Sequence, residues 1–75
     1  GTIFYVDRRY NEPTIYVLYN GQKVTATKSW DGGIRNIYCF GDALYFQTIT
    51  KKIYKATFHP PNEIRISFIR DLEEV

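Results

Sequence analysis

The sequence predicts an all-β chain built from two copies of one antiparallel meander, each about 40 residues long. Three observations lead there. Short runs rich in Ile, Val, Tyr, Phe and Thr follow one another at strand spacing, not helical spacing. Turn residues punctuate them every few positions, with Asn20-Gly21 the strongest hairpin signal. The pattern also recurs: the first half of the chain resembles the second.

Taken in order, the first strand is expected over Thr2–Val6, followed by the polar loop Asp7–Glu12. Thr14–Tyr19 and Lys23–Lys28 form the next two strands. Asn20-Gly21 joins them because both residues tolerate the positive φ that a type I′ turn needs. Asp31-Gly32-Gly33 links the two halves. Ile34–Phe40 and Ala43–Thr48 flank a tight Gly41-Asp42 turn. Lys52–Phe58 and Glu63–Ile69 flank His59-Pro60-Pro61-Asn62, a stiffer connection because proline cannot donate to a ladder. The polar tail Arg70–Val75 is expected to add a short turn of helix. Apolar residues at both parities in several strands suggest sheets covered on two faces.

The repeat sets the organisation. Ile3-Phe4-Tyr5-Val6 matches Leu44-Tyr45-Phe46-Gln47 at an offset of 41. Ile15-Tyr16 matches Ile53-Tyr54 at 38, and Val24 matches Ile64 at 40. A first loop three residues longer in the first copy accounts for the change from 41 to 38. The whole of 1–75 reads as one all-β unit, with a partial first repeat over 2–28 and a full second repeat over 34–69. A period near 40 with up to four strands per unit is the signature of a β-propeller blade. A small β-sandwich or barrel is the alternative architecture.

Size and composition narrow the function classes. A chain of 75 residues has a small core, and its single cysteine excludes an internal disulfide. One histidine and one cysteine cannot build a structural zinc site. Seven Tyr, five Phe and one Trp offset the small core, since large rings bury much area per residue. A net charge of +2 with mixed signs is too weak a footprint for nucleic acid or an anionic membrane. No apolar run approaches membrane-spanning length, and no signal-peptide pattern opens the chain.

The segment Ile3-Phe4-Tyr5-Val6-Asp7, followed by Ile15-Tyr16 and Asn20-Gly21, resembles the YWTD blade of low-density-lipoprotein-receptor-type propellers. In that family a strand reading Ile-Tyr-Trp-Thr-Asp precedes a strand starting Ile-Tyr and an Asp-Gly turn, so Asp7 would stand at the motif aspartate. The second copy carries Gln47-Thr48 and His59-Pro60-Pro61-Asn62 at these places. The resemblance implies a non-catalytic, extracellular, receptor-type binding domain of six blades, of which this chain spans under two.

Candidate partner-binding residues fall in two places. Asp7, Arg8, Arg9 and Tyr10 lie in the longer loop, where guanidinium groups beside a ring suit an acidic partner or a carboxylate, or simply form a solvated hairpin loop. Trp30 and Asp31 stand beside a flexible turn, and Ile15–Gly33 loosely resembles a fucose-lectin repeat. There the ring would stack on a sugar and the carboxylate would accept its hydroxyl hydrogens; the other reading makes Trp30 a core plug. Cys39, in a strand between Tyr38 and Phe40, is expected to pack as a small buried hydrophobe. His59 is expected as an exposed turn residue, and Lys51-Lys52 as a solvated turn, so nucleic-acid binding is disfavoured. No Ser-containing nucleophile motif and no Gly-rich phosphate loop is present. The sequence therefore points to a non-catalytic module without metal or cofactor. Its expected partners are a protein or further blades, with a glycan as the alternative, reached through oligomerisation or a larger assembly.

Overall fold

The computed structural model describes residues 2–8 and 13–73. It is all-β, with seven strands and no helix among the described residues. They are β1 (Phe4–Asp7), β2 (Thr14–Tyr19), β3 (Gln22–Thr25), β4 (Ile34–Phe40), β5 (Ala43–Thr48), β6 (Lys52–His59) and β7 (Glu63–Asp71). Two antiparallel meanders result, a three-stranded sheet ordered β1-β2-β3 and a four-stranded sheet ordered β4-β5-β6-β7. Neither closes into a barrel.

The turns follow their residues. Asn20 and Gly21 both have positive φ, 51° and 78°, between the paired Tyr19 and Gln22, as a type I′ turn requires. At Gly41-Asp42 only Gly41 is left-handed, the pattern of a type II′ turn. The third strand ends at Thr25 rather than Lys28, and the last strand runs past Ile69 to Asp71, where a turn of helix was expected. Lys52 pairs with Asp71, and the backbone N–H of Leu72 donates to the Lys51 carbonyl, so the β6–β7 ladder claims this tail. β-Bulges interrupt the ladder at Arg35 and at Ile69.

Residues directly opposite in an antiparallel pair share a face. Along β2, Ile15 and Val17 are buried, and along β5, Leu44, Phe46 and Thr48; their neighbours are only half-buried or exposed. Each sheet therefore has one covered face, where the sequence suggested two. The covered faces meet in one core: Ile15 and Ala26 from the first half pack with Leu44, Phe46, Tyr54 and Ala56 from the second. Burying a side chain such as Phe46 contributes about 1.5–3 kcal/mol. Trp30, from the linker, meets Phe46 edge-on at 5.2 Å and 74° between planes.

The register supports the repeat for two strands and corrects it for the third. An offset of 41 carries Tyr5 to Phe46 and one of 38 carries Tyr16 to Tyr54; Tyr5 stands opposite Tyr16, and Phe46 opposite Tyr54. Thr25, opposite Tyr16, then corresponds to Phe68, opposite Tyr54, an offset of 43. Val24 thus corresponds to Ser67 rather than to Ile64. The cause is the longer β6–β7 hairpin, whose strands extend beyond Thr57↔Arg65 before turning, whereas Tyr19↔Gln22 closes at once.

Candidate interaction surface

The outer face of the three-stranded sheet carries an aromatic pair, Tyr5 exposed and Tyr16 half-buried. Tyr5 and Tyr16, paired across β1 and β2, stack at 5.2 Å with 12° between planes. Lys23 places its Nζ 4.3 Å from the Tyr16 centroid, within cation–π range. Ile3 and Leu18 flank the rings and are 67% and 57% exposed. The second repeat holds the same stack at the equivalent positions, Phe46 on Tyr54 at 5.5 Å and 15°. There it is buried between the sheets, and Phe68 closes it edge-on against Tyr54.

The outer face of the four-stranded sheet mixes polar and apolar side chains, with Tyr38 and Phe40 on it 57% and 78% exposed. Asn36 donates to Gln47 at 3.0 Å, and Lys55 lies 5.7 Å over the Tyr45 ring. An open hollow of about 420 Å³ lies beside Phe40, Asp42, Tyr45, Lys55 and Thr57. At the far end of β6, His59 shares a 3.0 Å hydrogen bond with Thr57 and is half-buried within the strand rather than in a turn. Across the turn, Arg65 bonds the Glu63 carboxylate, and that hydrogen bond together with the guanidinium charge holds the Glu63 carboxyl below its ordinary range.

The residues singled out from sequence do not form one site. Asp7 ends β1 opposite Thr14, and Arg8 is exposed after it; Arg9 and Tyr10 lie outside the described residues. Trp30 is only 5% exposed, which corrects its assignment to a partner-binding surface: its ring is spent on the core and offers no face to a sugar. Its Nε1 has no hydrogen-bond partner among the described residues. Asp31 is exposed and pairs with Lys52 at 3.4 Å, a contact worth little at such exposure. Cys39 is exposed, not buried. It lies near the end of β4, an edge strand whose last three residues are all exposed. Among the described residues no three His, Cys, Asp or Glu side chains gather as a metal site would need.

Sequence reasoning passed over Tyr5, Tyr16 and Lys23. The signal was present, because the repeat aligns Tyr5 and Tyr16 with Phe46 and Tyr54, but which copy faces out depends on how the sheets stack. Compared with known protein families, curated proteins and solved structures, the chain matches none.

Proposed function

We propose that the chain is a non-catalytic protein-interaction module, two blade-like sheets that belong to, or assemble into, a propeller-like stack. One observation carries this reading. The same stacked ring pair lies on the outer face of the first sheet and on the inner face of the second. Equivalent faces therefore point the same way along the stack, which is head-to-tail order. A two-fold sandwich would turn equivalent faces toward each other. Head-to-tail contacts leave one unlike face free at each end, and such contacts continue into rings or filaments. An aromatic free face favours a macromolecular partner, since large exposed apolar patches mark interaction sites. The glycan alternative relied on Trp30 as platform, and no other observation favours it.

Light scattering coupled to size exclusion, over a wide concentration range, tests the reading. The module should exceed 8.9 kDa as concentration rises. A clean monomer throughout, with a cooperative melt, counts against it.

A further inference from the structure

We infer that the chain pairs with a second copy of itself by exchanging strand edges, β1 of each copy taking β4 of the other as its neighbour. The inference goes beyond the proposed function, which concerns the outer faces of the sheets; it concerns their edges and the step between them.

The step follows from the repeat. Strands β1, β2 and β3 correspond to β5, β6 and β7, and among the described residues β4 has no counterpart in the first sheet. Equivalent strands overlie one another: β3 lies against β7, and Tyr19 of β2 meets Phe58 of β6 at 5.3 Å. The Thr2 N–H, just before β1, donates to Asp42, just before β5. β4 therefore projects past β1 without a strand above it. Its inner-face residues Ile37 and Cys39 stand opposite Phe46 and Leu44, which are 0% and 1% exposed, yet Ile37 is only half-buried and Cys39 is exposed. A ledge results, with the edge of β1 as its wall and Ile37 and Cys39 as its floor.

Backbone parity decides what fits the ledge. In an antiparallel ladder alternate residues turn their N–H and C=O toward one neighbouring strand, and the residues between turn theirs the other way. Tyr19 and Gln22 flank a two-residue turn, and the Ala26 N–H donates to the Ile15 carbonyl, so Ile15, Val17 and Tyr19 bond β3 while Tyr16 bonds β1. Tyr5 is then the β1 residue that bonds β2, and Phe4 and Val6 direct their backbone groups outward. Phe40 and Ala43 flank the other two-residue turn, so Tyr38 and Phe40 bond β5, and Ile37 and Cys39 direct theirs outward. All four outward residues lie on inner faces. Opposite residues of an antiparallel pair share a face, so joining β1 to β4 of a second copy sets two inner faces side by side in one layer. A two-fold axis along the strands does this twice over. In each layer the three-stranded sheet of one copy runs into the four-stranded sheet of the other, and each β4 covers the Ile37 and Cys39 of the other copy. The covered core of one chain thereby continues into that of the next. The bulge at Arg35 leaves Asn36–Phe40 regular, long enough for the four residues of β1, with Phe4 facing Cys39 of the second copy and Val6 facing its Ile37. The exchange uses each of these edges once, so the contact is isologous and closes at two copies. A net charge of +2 offers little repulsion against it.

Sedimentation velocity over a range of concentrations tests this on the full chain carrying Tyr16→Glu, which silences the aromatic outer face and leaves both edges intact; circular dichroism confirms the fold of each variant. That chain is expected to reach twice 8.9 kDa and to stop there. Adding Cys39→Pro removes an outward N–H that no strand of the same chain uses, at an exposed side chain, and is expected to abolish the dimer. Cys39→Lys charges the floor of the ledge and is expected to do the same, so it serves if the proline variant does not fold. The Cys39 thiol should label fast in dilute solution and more slowly as the dimer forms. Folded Cys39→Pro or Cys39→Lys chains that still dimerise overturn the inference, and so does a chain that stays at one copy throughout. A dimer in which Cys39 keeps its dilute labelling rate also overturns it, since the β4 edges would then be pairing with each other and leaving the ledge open. A dimer formed equally by the parent and the Tyr16→Glu chain upholds the edge exchange and weakens the stack reading alone.

Discussion

Replacing Trp30 with alanine should remove a large share of the stability of the whole chain, although the residue lies outside every strand. The ring is 5% exposed, packs edge-on against the fully buried Phe46, and belongs to the cluster that joins both sheets. Truncating a buried Trp costs about 3–5 kcal/mol, of which about 0.5–1.5 kcal/mol belongs to an aromatic pair of this geometry beyond its area. The Nε1, without a partner among the described residues, works the other way, since an unsatisfied buried N–H costs about 1–3 kcal/mol that the substitution removes. Taken midpoint against midpoint, the net loss for Trp30→Ala is therefore about 2 kcal/mol. For a domain of this size that lowers the melting midpoint by about 10 °C or more. Trp30→Phe keeps a ring against Phe46 and deletes the orphan donor, so it should cost clearly less. Urea melts followed by far-UV circular dichroism suit both variants, because Trp30 is the chain's single tryptophan and its fluorescence disappears with it. If Trp30→Ala melts within about 0.5 kcal/mol of the parent, the ring is on the surface and the joined core is wrong.

Other perturbations read separate parts of the structure. Gly21→Val meets open space but forces a β-branched residue into φ of 78°, so it should destabilise by about 1 kcal/mol or more in the same melts. Cys39 should label quickly with a thiol reagent in native buffer; labelling that needs denaturant would show the end of β4 covered. Glu63 should titrate below an ordinary glutamate by NMR, and Arg65→Ala should return it to the normal range. Because its folded value is depressed, its contribution is present above the unfolded glutamate pKa and is lost as pH falls through the folded one; it should be small, since both side chains of the pair are exposed to solvent.

Much of this fold was legible because local chemistry decides it. The hairpins at Asn20-Gly21 and Gly41-Asp42 rest on backbone preferences, and six of the seven strands lie within two residues of their predicted bounds at each end. What escaped were consequences of packing. Lys28 falls outside β3 because that strand's ladder stops at Thr25, and Cys39 is exposed because its strand is an edge. Val24 and Ile64 are alike in type but not in register, since a longer hairpin shifts the third strand. The interaction surface was hidden for a related reason: Tyr16 and Tyr54 look equivalent in sequence, and only the stacking sense of the sheets sends one outward and one inward.

That pair offers the most direct test of the account. Nitration of the native chain at low concentration, followed by peptide mapping, reports the accessibility of each tyrosine. Head-to-tail stacking predicts rapid modification of Tyr5, 39% exposed, and of the half-buried Tyr16, with Tyr54, at 9%, protected until the chain unfolds. Equal reactivity of Tyr16 and Tyr54, or protection of Tyr16 with modification of Tyr54, would contradict it.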